Sequence, residues 1–225
     1  MNNSSNDTDR RIQAVWGYVG VPPSLAHATL DNYRPGCPEQ QEALDKCREF
    51  ARQGLQNISR GRGLVLKGSV GTGKSHLSVA MVRAMIEASP ERFGKPFSSL
   101  RVLEDIEYPG CRCSMIPVFD LLERLRESYS SRRPKTDHAQ LIRRCKFDDL
   151  VILDDIGAEK STEWVEEQLY GLIDLRYRFR RSTLLTTNCS LTQLEGKMGT
   201  RALSRILEMC ECIGVGGDDW RKTHR

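Results

Sequence analysis

The chain has 225 residues, 39% of them hydrophobic, and carries a formal net charge of +4. This composition suits a single α/β domain with a sizeable core. It excludes a membrane protein, since no apolar run approaches the length of a span, and the polar N-terminus does not resemble a signal peptide. We therefore predict a cytoplasmic protein with no membrane partner.

The first quarter of the sequence predicts a lead-in to a larger domain. Residues 1–11, rich in Asn, Ser and Asp, are expected to form a disordered tail. Residues 12–60 are the predicted lead-in, in which Ile12–Tyr33 is expected to have little regular structure and Pro38–Leu55 has the spacing of an amphipathic helix. Residues 61–225 then form the main domain.

An octet at residues 68–75, Gly-Ser-Val-Gly-Thr-Gly-Lys-Ser, matches the phosphate-binding pattern G-x-x-x-x-G-K-S/T. Its glycines allow consecutive backbone N–H groups to turn toward a nucleotide's phosphates, Lys74 would reach the outer phosphates, and the Ser75 hydroxyl would bind Mg²⁺. An apolar run, Leu64–Leu66, precedes the loop, and a helix over Ser75–Ala88 is predicted after it. A chance glycine-rich turn would produce such an octet in roughly one chain in a hundred. We predict that a nucleoside triphosphate is bound by Gly68, Ser69, Val70, Gly71, Thr72, Gly73, Lys74, Ser75 and His76.

Beyond the loop, apolar strands alternate with helices. After a loop-rich segment, Glu87–Gly110, strands are predicted over Cys113–Val118, Leu150–Leu153, Thr183–Thr187 and Cys212–Val215, and helices over Phe119–Tyr129, His138–Arg144, Trp164–Arg178 and Arg201–Met209. This alternation predicts an α/β fold of three layers, in which a parallel central sheet is flanked by helices.

Polar side chains follow two of these strands. Asp154 ends an uninterrupted apolar run, which is where a phosphate loop needs the carboxylate that holds Mg²⁺. Asp155 would orient or deprotonate the attacking water, although adjacent aspartates also occur in ordinary turns that cap helices. Asn188 would bind the water or the γ-phosphate, or it begins a turn with Ser190. We predict that the two aspartates carry the hydrolysis.

Basic residues and cysteines are unevenly distributed along the chain. The basic residues form three groups: Arg132, Arg133 and Lys135; Arg143, Arg144 and Lys146; and Arg176, Arg178, Arg180 and Arg181. Such runs usually mark a solvated face, but three of them in a nucleotide-binding chain favour a polyanionic partner. Two C-x-C pairs, Cys111/Cys113 and Cys210/Cys212, could supply four thiolates to zinc, although free buried thiols are the simpler interpretation.

Six fragments stand out around and after the predicted magnesium carboxylate. They are Leu153–Glu159, Thr162–Trp164, Arg176–Tyr177, Thr186–Asn188, Gly199–Ile206 and Gly217–Arg221. Their order and spacing resemble the DnaC/DnaI/IstB-type clade of AAA+ ATPases, and the resemblance covers about Val21–Arg221. It implies a P-loop NTPase fold of the AAA+ kind, with ATP and Mg²⁺ as ligands. The members that this pattern resembles most are replicative helicase loaders, whereas IstB proteins assist a transposase.

The resemblance also assigns roles to arginines. One arginine of the clade reaches into a neighbouring subunit's nucleotide, and Arg205 is the first choice for it, with Arg201, on the same helix face, as the alternative. An ordinary ion pair between Arg205 and Glu208 is also compatible with the spacing. Arg221 resembles a second arginine that contacts nucleotide within its own subunit. An arginine acting in trans implies a homo-oligomer that forms upon binding ATP or DNA.

Single-stranded DNA is the nucleic-acid partner that the resemblance implies. Members of the clade contact it through the helical pair between the second strand and the strand of Asp154. The residues of this chain in that region are Arg124, Arg126, Tyr129, Arg132, Arg133 and Lys135. Basic side chains with an aromatic ring suit sequence-independent binding of single strands, unless Tyr129 packs in the core.

Two departures from the family pattern affect the predicted function. Most AAA+ enzymes have Glu where Asp155 stands, so hydrolysis is expected to be slow and stimulated by DNA. A separate N-terminal domain that grips the helicase is expected to be missing, and so is a C-terminal lid. We therefore predict a DNA-replication ATPase, most similar to a helicase loader. An IstB-like transposition helper acting on duplex DNA, and a weakly hydrolysing adaptor switched by ATP, are the alternatives.

Overall fold

Five parallel strands form the centre of the computed structural model, which describes residues 13–93, 111–130 and 136–223. The strands are β1 (Gly63–Lys67), β2 (Cys113–Pro117), β3 (Leu150–Asp154), β4 (Ser182–Thr187) and β5 (Cys210–Gly214). Their order across the sheet is β2-β3-β4-β1-β5, and every neighbouring pair is parallel. The predicted parallel sheet is therefore confirmed, and β4 lies between the strand before the phosphate loop and the strand that ends in Asp154.

Helices connect and cover these strands. The described part of α1 covers residues 13–19; the others are α2 (Pro38–Arg52), α3 (Gly54–Ser59), α4 (Lys74–Ala88), α5 (Val118–Ser130), α6 (Thr136–Phe147), α7 (Glu163–Arg178), α8 (Leu191–Met209) and α9 (Trp220–Thr223). Short 3₁₀ helices lie at Pro23–Leu25 and Pro90–Arg92.

Side chains alternate along each strand and build two separate cores, one on each face of the sheet. Leu64 and Leu66 pack with α2 and α4 in one core, whereas Val65 packs with α5, α7 and α8 in the other. The run Leu150–Leu153 is almost entirely buried, as expected for a strand covered on both faces. The prediction of three layers is confirmed.

The sequence prediction was wrong in three places along the chain. The lead-in contains helix α1, because Val15 and Val19, four residues apart, both point into the core. The helix predicted over Pro38–Leu55 is divided at Gln53 into α2 and α3. The helix predicted over Arg201–Met209 begins ten residues earlier, at Leu191, and continues through a kink at Gly199.

The two cysteine pairs lie on opposite edge strands, which prevents them from sharing one zinc ion. Cys113 begins β2 and Cys210 begins β5, and three strands separate them. Among the described residues, no group of His, Cys, Asp and Glu side chains is arranged to hold a metal. Within the same part of the chain, no helix is long and apolar enough to cross a membrane.

Arg176 is fully buried at the edge of the sheet where the strands begin, which we call the amino edge. Its guanidinium donates to Thr183 Oγ1 at 2.9 Å and to the carbonyl oxygens of Cys145, Asp148 and Ser182 at 2.8, 3.1 and 2.5 Å. Burial lowers its pKa to about 10. This side chain ties the end of α7 to the starts of β3 and β4, so it belongs to the framework and not to a polyanion-binding cluster.

Candidate nucleotide site

The phosphate loop lies at the opposite edge of the sheet, the carboxyl edge, between β1 and α4. Gly73 adopts the left-handed conformation, with φ of 91°, and a Cβ atom there would lie 2.5 Å from the Tyr33 ring. The Tyr33 hydroxyl donates to the Thr72 carbonyl at 2.9 Å. Only glycine can therefore occupy position 73, and Tyr33, which the sequence analysis did not single out, closes one side of the loop.

Lys74 is buried within this loop. Its ammonium group donates to the carbonyl oxygen of Ser69 at 2.6 Å. Burial lowers its pKa most, with a smaller lowering by Arg221, while Asp155 and Asp154 act in the opposite direction. The predicted phosphate-binding lysine, both aspartates and the C-terminal arginine are thus close enough to interact electrostatically.

Ser75, in the first turn of α4 after β1, and Asp154, at the end of β3, meet although β1 and β3 are not neighbours. The Ser75 hydroxyl donates to Asp154 Oδ1 at 2.7 Å, and Thr186 Oγ1 from the intervening strand donates to the same oxygen at 2.6 Å. Carboxylate and hydroxyl oxygens are the ligands that Mg²⁺ accepts in sites completed by substrate phosphates. The oxygen atoms present at this point therefore fit a magnesium ion.

Asp155 and Asn188 form the next pair along the carboxyl edge. Asn188 Nδ2 donates to Asp155 Oδ1 at 2.8 Å, and the Asp155 N–H donates to Thr186 Oγ1 at 2.8 Å. Asp155 has φ of 56°, in the left-handed region that is costly for a residue with a side chain. Burial raises its pKa, as does Asp154, while Lys74 lowers it. The alternative of a turn begun by Asn188 is not what the structure shows, since Ser190 caps α8 and the Asn188 amide faces Asp155.

Glu159 is a further carboxylate in the same turn, and its contacts indicate a structural role. It is buried, and both of its carboxylate oxygens accept from the Gly157 N–H, at 3.1 and 3.2 Å. Its carbonyl oxygen accepts from Lys197 Nζ at 2.7 Å. These bonds hold the turn that follows Asp155.

His76 faces the lead-in, on the first turn of α4. Its Nε2 lies 3.0 Å from the carbonyl oxygen of Thr29, and its ring packs against Tyr33 with centroids 5.6 Å apart. Burial lowers its pKa, which favours the neutral ring. The predicted nucleotide contact at His76 thus lies where the lead-in meets the phosphate loop.

The C-terminal segment also packs against the loop. The Trp220 N–H donates to the Gly71 carbonyl at 3.1 Å, which brings α9 to the phosphate loop. Arg221 is exposed, and its Nε pairs with Asp219 Oδ1 at 3.1 Å. Arg221 therefore lies near the phosphate loop of its own subunit, its contact with nucleotide stays a prediction, and Asp219 is a neighbour that the sequence did not reveal.

The two candidate trans arginines have different surroundings. Arg205 pairs with Asp174 at 2.9 Å and lies over the rings of Tyr170 and Tyr177, at 5.1 and 5.6 Å from their centroids. The ion pair considered with Glu208 is not formed, because the Tyr177 hydroxyl donates to that carboxylate instead.

Arg201, one turn earlier on the same helix, is exposed, and no ion pair involves it among the residues that the structure describes. Its carbonyl oxygen accepts from Arg205 Nη1 at 3.1 Å. The Arg201 side chain can extend away from its own subunit without breaking an ion pair, whereas the Arg205 side chain must first break its ion pair with Asp174.

The predicted DNA-binding residues are divided between α5 and a segment outside the described residues. Tyr129 is 71% exposed, so the alternative that it packs in the core is wrong. The Arg126 guanidinium lies over the Trp164 ring at 4.9 Å, and Arg124 is half-buried. The remaining predicted contacts, Arg132, Arg133 and Lys135, lie outside the described residues.

Thr186 belongs to the site, although the sequence analysis gave it no role there. Among the residues missed in this way, it has the clearest signal in the sequence. It precedes Asn188 by two positions on a strand that ends at the carboxyl edge, and it bonds both Asp154 and the Asp155 N–H. A polar residue that follows two buried leucines, Leu184 and Leu185, near the carboxyl end of a central strand is the pattern that could have indicated it.

Two sequence comparisons identify proteins that are similar to this chain. The family model described as IstB-like ATP binding protein matches residues 102–225, more than half of the chain and after the phosphate loop. The replicative helicase loader DnaC of Escherichia coli (strain K12) is 24% identical over 196 residues, which cover 87% of this chain and 69% of that protein.

Solved structures show the same fold. The crystal structure of the DnaC helicase loader superposes with a TM-score of 0.69 at 27% identity, covering 86% of this chain and 99% of that one. The crystal structure of DnaI superposes with a TM-score of 0.66 at 18% identity, covering 89% and 94%. The α/β fold predicted from the sequence, of the P-loop NTPase kind, is therefore confirmed.

Proposed function

Because the chain belongs to the family of IstB-like ATP-binding proteins, we propose that it is an ATP-hydrolysing DNA-replication protein that acts as a helicase loader. Its similarity to the replicative helicase loader DnaC, over 87% of the chain, supports this choice within the family. Its partners in this proposal are single-stranded DNA and a replicative helicase.

The observation that carries the proposal is the hydrogen bond between Ser75 and Asp154. Backbone N–H groups of residues 68–73 and the Lys74 ammonium would hold the phosphates, after Lys74 exchanges the Ser69 carbonyl for a phosphate oxygen. Ser75 and Asp154 would hold Mg²⁺, which supplies positive charge to the phosphoryl group that is transferred.

Asp155 is the proposed general base. Burial raises its pKa, which makes its carboxylate a stronger base, and Asn188 fixes the orientation of this carboxylate by donating to Oδ1. Its side chain is one methylene shorter than the glutamate that most of these enzymes have, which fits slow turnover. A slow ATPase suits a switch that releases a bound helicase after one event.

DNA would bind along α5, where Tyr129 offers an exposed ring and Arg124 and Arg126 offer positive charge. Arg201 or Arg205 would complete a neighbouring subunit's site, so that ATP stabilises an oligomer.

The test is ATP hydrolysis by the purified chain, alone, with single-stranded DNA and with duplex DNA. Lys74→Ala is expected to weaken ATP binding about 100-fold or more, because it removes a buried charge from the phosphates. The matched control is Lys46→Ala, since Lys46 is an exposed lysine paired with Glu211 far along the chain. Equal ATP affinity in both variants would refute the site.

Asp155→Asn separates binding from chemistry. This variant should bind ATP normally and lose turnover by at least about 100-fold, the contribution of a general base. Retained turnover would exclude Asp155 from that role.

A second candidate function follows from the family description itself. An IstB-like helper of a transposase would use the same nucleotide site but act on duplex DNA. Hydrolysis that is stimulated by duplex DNA alone would favour the transposase helper over the loader. ATP-dependent assembly on duplex DNA alone, measured by light scattering, would favour it as well. Undetectable turnover with either DNA would favour an adaptor that is switched by ATP binding.

A further inference from the structure

Two turns lie side by side at the amino edge, away from the nucleotide site. One turn precedes β1 at Arg60–Arg62, and the other joins α7 to β4 at Phe179–Arg181. They touch through their backbones: a Cβ atom at Gly61, where φ is 69°, would lie 2.6 Å from the carbonyl carbon of Arg180. The Ser182 hydroxyl also donates to the Arg62 carbonyl.

A cavity of about 350 Å³ opens beside this contact, lined by Ile58, Ser59, Asp149 and the turn that ends α7. Strand β1 separates it from the phosphate loop, and five residues of strand span roughly 16 Å. A ligand here would not compete with a nucleotide.

The positive charge at these turns is only partly neutralised. Arg178 pairs with Asp174, and Arg181 pairs with Asp149. Arg60, Arg62 and Arg180 are exposed, and no acidic side chain lies within ion-pair distance of these three among the described residues. Three fixed charges are therefore available to an anion.

Phe179 adds an aromatic surface to the same place. It is 55% exposed, and it follows Arg178 and precedes Arg180 in sequence. We call Arg60, Arg62, Phe179 and Arg180 the amino-edge patch.

Arg180 has a backbone conformation that is costly for a residue with a side chain. It has φ of 47°, and the Arg181 N–H bonds the Arg176 carbonyl at 2.8 Å, so Arg180 holds the position after the helix where glycine is most favourable. A side chain in this left-handed conformation is costly, and such a cost is often found at functional sites.

From this arrangement we infer that the amino-edge patch is a second binding site for single-stranded nucleic acid. Arginines bind phosphate oxygens, and an exposed ring between them stacks a base; both contacts are independent of sequence. The inference rests on the proposed function and extends it. It adds a contact with nucleic acid at the amino edge, opposite the carboxyl edge where the nucleotide would bind. A strand bound at this patch and at α5 would follow the surface of the subunit.

The experiment measures binding of a fluorescein-labelled 20-residue oligo-dT to the full chain by anisotropy, over a range of salt concentrations. Replacing Arg60, Arg62 and Arg180 together by Ala should weaken binding about 10-fold or more at low salt. It should also reduce the slope of log K against log salt by about 2, since each lost phosphate contact removes roughly 0.7. Arg52→Ala, which removes an exposed arginine paired with Glu49, is the control for net charge.

Two single variants test the geometry itself. Phe179→Leu should weaken oligo-dT binding about 10-fold with no change in salt slope, and leave duplex binding unchanged. Arg180→Gly should raise the melting temperature, because it relieves the left-handed backbone, and yet weaken oligo-dT binding. Loss of binding in a more stable variant cannot be attributed to misfolding.

The outcomes distinguish this inference from the function on which it rests. If the wild-type chain binds oligo-dT and Tyr129→Ala weakens it, while every variant of the patch binds like Arg52→Ala, the inference is overturned and the proposed function stands. If the wild-type chain binds no oligo-dT, both are overturned. Weakened binding in the patch variants alone supports the patch and removes α5 from the proposed function.

Discussion

The two edges of the sheet satisfy their buried polar side chains differently. At the amino edge, Arg176 is completely buried and donates to four acceptors supplied by the framework. At the carboxyl edge, Asp154 accepts from Ser75 and Thr186, the Asp155 N–H donates to the same Thr186 hydroxyl, and Lys74 donates to its own loop. The donors of Arg176 are satisfied within the protein, whereas Lys74 and Asp154 are bonded to protein groups that a ligand can replace.

The difference shows how position decides the role of a charged residue. Arg176 joins the starts of β3 and β4, and in a short parallel sheet fixing one end of two strands also fixes the other. The carboxyl ends of those strands present Asp154 and Thr186. The buried arginine thus contributes to the alignment of the site without approaching it.

The largest expected effect is on stability at the amino edge. Arg176→Met should lower the free energy of unfolding by about 3–5 kcal/mol, because three carbonyl groups would lose their donor in a buried position. Urea unfolding measures it, and Arg178→Ala, at an exposed ion pair, should cost less than about 1 kcal/mol. Equal losses in the two variants would contradict the framework role of Arg176.

Two threonines at opposite ends of β4 allow a matched comparison. Thr183→Val removes the acceptor of Arg176 Nε, and Thr186→Val removes the hydroxyl that bonds Asp154 and Asp155. Each should cost about 1–2 kcal/mol of stability. Only Thr186→Val should reduce the rate of ATP hydrolysis, by about 10-fold; a similar reduction in Thr183→Val would show that the edges are not separable.

Replacing Arg205 or Arg201 by Ala should have smaller effects on stability, and the two effects should differ. Arg205→Ala should cost about 1 kcal/mol, because a half-buried ion pair with Asp174 and two ring contacts are lost. Arg201→Ala should leave the melting temperature unchanged. ATP-dependent assembly, followed by light scattering of the same two proteins, identifies the arginine that acts in trans.

The smallest effect is a dependence of stability on pH. The folded state raises the pKa of Asp155 above its unfolded value, so the ionised carboxylate opposes folding. This penalty is absent below the unfolded pKa and reaches its full size above the folded pKa. Asp155→Asn keeps the oxygen that accepts from Asn188, and should therefore be more stable than the wild type at pH 7–8 by less than about 1 kcal/mol. The difference should disappear near pH 3, in thermal unfolding followed by circular dichroism.

The order of strands and helices could be predicted because the buried strands contain short apolar runs, such as Leu64–Leu66 and Leu150–Leu153. Helix α1 was missed because its apolar contacts, Val15 and Val19, cover little more than one turn and are followed by Gly20. The start of α8 was missed because the signal is a capping box at Ser190 and Gln193, which the polar sequence around it obscures.

The site was predictable where the chemistry depends on neighbours in sequence. The phosphate loop and Asp154 follow from local patterns, and the structure brings them together. The surroundings of Arg205 depend on Asp174, 31 positions away, and the contact of Tyr33 with the loop joins residues 39 positions apart. Such pairings are set by the packing of helices against the sheet, so a single sequence does not reveal them.

The hydrogen bond from Tyr33 to the Thr72 carbonyl has a mechanical consequence. While it is kept, the segment before α2 and the loop after β1 move as one piece. A pull on the N-terminal segment by anything attached to it would be transmitted to the loop backbone through a single phenol group.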